Sequence, residues 1–163
     1  MSHPVAVDEP LVAHGDTLNL VRAAIAEAPD PGAAGQRAVE RLHARLPHYD
    51  WVGIYWVDGA DLVLGPWVGP EATEHTRIPI GTGVCGAAAA SGQTEIVPDV
   101  DADSRYLSCF ASTKSEIVVP IFHENEVVGE IDVDGSDLDA FDETDARFLE
   151  EVAALLAPLR PRA

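Results

Sequence analysis

The stretch "SEIVVPIFHENEVVGEIDVDG", Ser115 to Gly135, decides the fold because it holds two strand-like segments around a short polar turn. The segments "SEIVVPIF" and "EVVGEIDVDG" are rich in β-branched residues, and "HEN" (His123–Asn125) separates them. This pattern predicts an antiparallel hairpin. We therefore expect a sheet built from neighbouring antiparallel strands.

Side chains of a strand alternate between its two faces, so each strand of this hairpin has a predictable pair of faces. In the second strand one face is apolar and the other carries three carboxylates. The apolar face is predicted to hold Val127, Gly129, Ile131 and Val133, and the other Val128, Glu130, Asp132 and Asp134. Hairpin pairing brings Glu116 towards the side of Asp132 and Asp134. A plain solvent-facing surface is the alternative interpretation.

The remaining segments predict an α+β protein with helices packed on a face of the antiparallel sheet. Helices are predicted at Thr17–Glu27, Ala33–Leu46, Val84–Ser91 and from the N-cap Asp142 to Leu156. Further strands are predicted at Asp50–Val57, Leu62–Val68, His75–Ile80 and from Glu95. Residues 1–14 are expected to form a flexible arm, and residues 15–160 a single domain.

The composition of the chain limits the kinds of partner and compartment that we expect. The chain has 163 residues, a formal net charge of −18 and one lysine, Lys114, so nucleic acid is an unfavourable partner. This acidity is typical of a solvated surface, and adaptation to high salt stays open. No apolar run approaches a membrane span, and the N-terminus lacks the features of a secretory signal. We expect a cytoplasmic protein with reduced cysteines.

Two cysteines, Cys85 and Cys109, have three interpretations: small buried hydrophobes, metal ligands or a redox pair. Cys85 precedes four alanines, and a helix starting near Val84 would lower its thiol pKa through the helix dipole. Folding could bring His75 beside both cysteines, but their spacing is not that of a zinc module. We expect no metal site.

Aromatic residues accompany the carboxylates. In "DWVGIYWV", Trp51 and Tyr55 share one strand face. Aromatic rings beside carboxylates suit a ligand that bears an ammonium group.

Six segments, in this order, resemble the free methionine-(R)-sulfoxide reductases, which are small single-domain GAF proteins. They are "DWVGIYWV", "LVLGPWVG", "RIPIGTGVCGAAAASGQT", "VPDV", "SEIVVPI" and "GEIDVDGSDLDAFDETD". The resemblance covers about residues 40–157. "RIPIGTGVCG" together with a cysteine before "SEIVVP" is specific to these enzymes among GAF domains. The resemblance implies a GAF-like fold, with a ligand pocket on the sheet face opposite the helices.

The resemblance also implies a mechanism. Cys109 falls on the nucleophile position, Glu116 and Asp134 on positions around the sulfoxide and the amino group, and Asp132 and Trp51 on pocket positions. Cys85 would close a disulfide that thioredoxin or a low-molecular-weight thiol reduces. No cofactor is implied, and the oligomeric state, a homodimer included, stays open.

The chain departs from the family pattern at three places. His75 stands where members usually carry a third, resolving cysteine. Phe110 follows the nucleophile position, where Asp is frequent. Tyr106 and Leu107 stand two or three residues before that position, where members usually carry a histidine. These departures keep a second hypothesis open, namely a GAF module that binds a small molecule without turnover.

Overall fold

A computed structural model describes residues 9–108 and 110–162 of the chain. The helices are α1 (Glu9–Glu27), α2 (Pro31–Arg45), α3 (Gly83–Ser91) and α4 (Glu143–Leu156). The strands are β1 (Trp51–Asp58), β2 (Asp61–Val68), β3 (Arg77–Pro79), β4 (Glu95–Val97), β5 (Ser115–His123) and β6 (Glu126–Gly135). Short 3₁₀ turns cover Val100–Ala102 and Ala157–Leu159.

The six strands form one antiparallel sheet in the order β3-β2-β1-β6-β5-β4, which confirms the predicted α+β class. Helices α2 and α4 pack on one face, and α1 packs against both of them. This helical face is a continuous apolar core that includes Val52, Ile54, Ile131 and Val133. Helix α3 lies on the opposite face of the sheet. A second, separate hydrophobic cluster packs there between α3 and the strands.

Helix α1 begins at Glu9, eight residues before the predicted start at Thr17, so residues 9–14 of the predicted arm are helical. Residues 1–8 lie outside the described residues. A buried polar cluster explains the earlier start. His14 stacks on Phe148 of α4 with ring centroids 4.5 Å apart, and its Nε2 lies 3.4 Å from Asp145. Asp145 also accepts a 2.8 Å hydrogen bond from the Tyr49 hydroxyl. These contacts hold the first turns of α1 on the domain.

A β-bulge corrects the predicted faces at the start of β6. The register shifts between Ile121 and Phe122, which pair with Gly129 and Val127. The extra residue, Val128, consequently packs with the helical core, while Val127 packs on the opposite side. Alternation alone cannot show a bulge, because the inserted residue reverses the pattern only on one side of it.

Other predicted bounds differ by a few residues. Asp30 caps α2, accepting a 2.8 Å bond from the Ala33 amide, and Pro31 occupies the first turn. Asp142 caps α4 as predicted, in a capping box with Asp145. Within residues 9–108 and 110–162, none of the helices combines the length and apolarity needed to cross a bilayer.

Candidate functional site

The sheet register places the predicted site residues on one face, which we call the acidic face. In β1 and β6, Trp51 pairs with Asp134 and Tyr55 pairs with Glu130. In β5 and β6, Glu116 pairs with Asp134. Side chains of directly opposite residues point to the same side, so the hairpin argument from the sequence is confirmed for these positions.

Glycine shapes the aromatic part of this face. Gly53 separates Trp51 from Tyr55 and pairs with Asp132. A Cβ at Gly53 would lie 2.3 Å from the Trp51 ring, so only glycine lets the indole lie across β1. Trp51 packs between Trp67 and Phe110, with centroids 6.1 and 5.9 Å away. Its indole nitrogen has no hydrogen-bond partner among the described residues and can donate to a ligand.

Helix α3 covers the acidic face and brings Cys85 to it. The helix packs closely against Pro79 because Gly86 has no side chain. A Cβ at Gly86 would lie only 2.7 Å from the Pro79 carbonyl oxygen. Cys85 is buried, and its Sγ lies 3.9 Å from Oε1 of Glu116. The cysteine of "GVCG" and the glutamate of "SEIVVP", 31 residues apart in sequence, are therefore neighbours.

The predicted effect of the helix dipole on Cys85 is wrong. Burial, followed by the nearby charges of Asp132, Glu130 and Glu116, raises the pKa of the Cys85 thiol well above its ordinary value. Desolvation and like charges disfavour a thiolate more than one helix N-terminus favours it. Cys85 is thus a protonated thiol near neutral pH in this conformation.

Four carboxyl groups lie buried on the acidic face: Glu116, Glu130, Asp132 and Asp134. Burial is the main cause that raises the pKa of Glu130, Asp132 and Asp134, and Asp132 adds to the shift at the other two. In the part of the chain that the structure describes, no ion pair neutralises any of these three. Glu130, Asp132 and Asp134 therefore form a buried concentration of acid with no ion-pair partner in residues 9–108 and 110–162.

Glu130 is the member of this set that sequence reasoning did not select as a site residue. It is 0% exposed, and its carboxyl oxygens have no hydrogen-bond partner among the described residues stronger than the weakly donating Cys85 thiol. The sequence does place Glu130 on the same strand face as Asp132 and Asp134, because the three alternate in "GEIDVD". Its deep burial depends on the cover that α3 provides, which strand parity does not reveal.

Two small cavities border the acidic face. The first has a volume of about 10 Å³ and is lined by Tyr55, His75, Ile78, Val84, Cys85, Leu107, Glu116 and Asp132. The second, of about 20 Å³, is lined by Asp50, Trp51, Pro70, Phe110, Ser112, Thr113, Asp134, Gly135 and Ser136. Each has about the volume of one water molecule. Three wider grooves, of about 310 to 560 Å³, lie elsewhere and have no cysteine in their lining.

The segment between β4 and β5 closes both cavities. Leu107 lines the first and Phe110 the second. Cys109, the predicted nucleophile, lies outside the described residues. His75, which replaces the third cysteine, has its Nε2 3.2 Å from the Ser108 carbonyl oxygen, and its own carbonyl accepts a 2.7 Å bond from the Tyr55 hydroxyl. His75 therefore borders the same cavity as Cys85.

Known proteins match this arrangement. A model of the GAF domain family matches residues 30–158. GAF domain-containing protein A of Dictyostelium discoideum is 43% identical over 110 residues, which cover 67% of this chain and 68% of that protein. The free methionine-R-sulfoxide reductase of Escherichia coli K12 is 36% identical over 115 residues, covering 71% and 68% respectively. The chain belongs to the free methionine-(R)-sulfoxide reductase family of GAF-domain proteins.

A solved reductase of this family has nearly the same chain path. The enzyme from Neisseria meningitidis, in complex with its substrate, is 38% identical and superimposes with a TM-score of 0.85. The match covers 98% of this chain and 94% of that one. The similarity therefore extends over the acidic face as a whole and is not confined to the sequence motifs.

In this reductase-family chain the buried Glu130 carboxyl predicts a particular pH dependence of stability. Burial raises the folded-state pKa of Glu130, so the protonated carboxyl contributes its full stabilisation below the unfolded-state pKa of about 4.3. As the pH rises towards the folded-state pKa, that contribution to the free energy of unfolding is lost. Glu130→Gln should therefore raise the melting temperature at pH 8 by several degrees, at about 1.4 kcal/mol for each unit of pKa shift removed. At pH 4 the gain should be small.

Thermal unfolding at both pH values measures this difference. Glu126→Gln is the matched control, because Glu126 is on the same strand but exposed. Equal pH dependence in Glu130→Gln and the wild type would show that Glu130 ionises normally in the folded protein.

Proposed function

We propose that this protein reduces free L-methionine-(R)-sulfoxide to methionine. The observation that carries the proposal is the acidic face, where the buried carboxyls Asp132 and Asp134, beside the Trp51 indole, have no cationic partner among the described residues. The α-ammonium of a free amino acid supplies the missing charge, and an aromatic face stabilises it further. The substrate complex of the Neisseria relative supports the same choice of ligand.

The proposed reaction is a thiol-dependent oxygen transfer. The Cys109 thiolate attacks the sulfoxide sulfur while Glu116 protonates the sulfoxide oxygen. The hydroxyl then transfers to the Cys109 sulfur as the sulfur–oxygen bond and the transient sulfur–sulfur bond break, and methionine leaves. Oxygen ends on Cys109 as a sulfenic acid, so the sulfoxide is reduced by two electrons and the cysteine is oxidised by two. Water exclusion by the covering segment favours this step, because charges interact more strongly in a dry site.

Substrate entry requires the cavities to enlarge. Each has the volume of about one water molecule, whereas methionine sulfoxide has many more atoms. Leu107 and Phe110 border the two cavities and belong to the segment that carries Cys109. Binding is expected to displace these side chains and to join the two cavities along Asp132 and Asp134.

Recycling is proposed to run through Cys85. Its thiol condenses with the sulfenic acid of Cys109, releasing water and leaving a disulfide that thioredoxin or a low-molecular-weight dithiol reduces. The position of Cys85 beside Glu116 supports this role. Its raised pKa makes it a slow attacking thiol until the site rearranges. Residue 75, where family members usually carry a third cysteine, is a histidine and cannot form the disulfide.

Cys85→Ser should spare the first turnover and slow thioredoxin-driven cycling by roughly tenfold or more, because an alcohol cannot close the disulfide. Mass spectrometry after one equivalent of substrate should show a persistent oxidised Cys109 in this variant and a disulfide in the wild type. Full cycling by Cys85→Ser, with Cys85 still reduced in the oxidised wild type, would assign recycling to an external thiol.

One observation favours a second candidate, a GAF module that binds without turnover, since His75 replaces the usual third cysteine. Mixing the fully reduced protein with one equivalent of free L-methionine-(R)-sulfoxide separates the two functions. The enzyme releases about one methionine per chain and loses thiol titre. The binding module retains both thiols and returns the sulfoxide unchanged.

A further inference from the structure

Three side chains from three different elements converge beneath the first cavity. The Cys85 Sγ comes from α3, one Glu116 oxygen from β5 and one Asp132 oxygen from β6, and the three atoms lie within 4.8 Å of one another. All three residues are buried. Sequence reasoning missed this set because its members are 31 and 16 residues apart and match no short motif.

The spacing of these atoms fits a thiophilic divalent cation. Zinc bonds to sulfur at about 2.3 Å and to carboxylate oxygen at about 2.0–2.2 Å, which places the two ligand atoms roughly 3.6 Å apart in a tetrahedron. The Cys85 Sγ and Glu116 Oε1 are 3.9 Å apart, so a shift of a few tenths of an ångström would bring this pair to that spacing, and the Asp132 oxygen lies within 4.8 Å of both. The adjoining cavity has about the volume of one water molecule, which suits a ligand in the fourth position.

A second, independent feature points to a positive ligand. Oδ1 of Asp132 has no hydrogen-bond partner among the described residues, and the oxygens of Glu130 have no partner there stronger than the weakly donating Cys85 thiol. Glu130 is fully buried and close enough for its charge to act on Cys85. Buried polar groups without strong partners are rare in folded proteins, and a bound cation would give Asp132 a partner and offset the nearby charge of Glu130.

We propose that the reduced protein binds a thiophilic divalent cation, of which Zn²⁺ is the type, through Cys85, Glu116 and Asp132. Binding converts the thiol to a thiolate and releases its proton to solvent, so affinity rises with pH. Asp132 and Glu116 also belong to the proposed substrate site. The cation therefore competes with the amino acid and withholds Cys85 from disulfide formation; this competition rests on the proposed function, whereas the binding does not.

Cobalt(II) is the probe, because a cobalt–thiolate bond gives a near-ultraviolet charge-transfer absorption that carboxylates alone do not. Titration is made on Cys109→Ser, in which Cys85 is the one remaining thiol. We expect a 1:1 charge-transfer band that Zn²⁺ displaces. Adding Cys85→Ser should abolish the band, and adding Asp132→Asn should weaken binding at least roughly tenfold, since loss of even an outer partner of a metal site costs 10–100-fold.

Asp134→Asn is the matched control, because Asp134 is equally buried on the same strand and face but is not part of the three-atom set. It should change cobalt affinity far less than Asp132→Asn. A missing charge-transfer band, or an equal effect of Asp134→Asn, would overturn the metal site. A band with no methionine release by the wild type would contradict the proposed function alone, and release that Zn²⁺ does not inhibit would contradict the competition.

Discussion

Cys109→Ser is expected to abolish release of methionine, including the first turnover. A serine hydroxyl is a far poorer nucleophile than a thiolate near neutral pH, so the loss should be on the order of 10³-fold or more. The measurement is methionine formed per chain, by quenched mixing of enzyme and free L-methionine-(R)-sulfoxide without an external reductant. Binding should survive, because Trp51, Asp132 and Asp134 remain in place.

The matched control is Cys85→Ser, which removes the other thiol of the chain but should still yield about one methionine per chain. If Cys109→Ser gave that yield and Cys85→Ser did not, the two cysteines would have to exchange their roles. The buried position and raised pKa of Cys85 argue against that outcome.

Discrimination for the free amino acid is the second large expected effect. N-acetylation or a peptide bond removes the α-ammonium and leaves buried carboxyls at Asp132 and Asp134 without a cation. An unpaired buried charge costs about 3–5 kcal/mol, which corresponds to a loss of about a hundredfold to several thousandfold in kcat/KM. Internal methionine sulfoxide in a peptide should therefore react very slowly.

Two blocked substrates test which charge matters. N-acetylmethionine-(R)-sulfoxide lacks the ammonium and should be poor, whereas the methyl ester keeps the ammonium and should lose much less. Comparable kcat/KM for the N-acetyl compound and the free amino acid would show that the acidic face does not recognise the ammonium.

The strand alternation of the sequence predicted most of the acidic face. Glu116, Asp132 and Asp134 could be assigned to one side because hairpin partners share a face, and the observed register agrees. The same rule failed at Val127 and Val128, where a bulge inserts a residue.

Other features depend on tertiary packing and were not accessible to local patterns. The start of α1 at Glu9 depends on contacts of His14 with α4. The raised pKa of the Cys85 thiol depends first on its burial and then on carboxyls from β5 and β6 that lie far away in the sequence, and together these overcome the local dipole that the sequence suggested. The importance of Glu130 arises only because α3 covers the sheet there.

Turnover of the separated epimers of free methionine sulfoxide tests the central claim most directly. The wild-type protein with excess dithiothreitol should convert the (R) epimer through many cycles and leave the (S) epimer essentially unreacted. In the proposed binding mode only one epimer would direct its oxygen to Glu116 while its ammonium contacts Asp132 and Asp134. Equal conversion of both epimers, or none of the (R) epimer, would contradict the account.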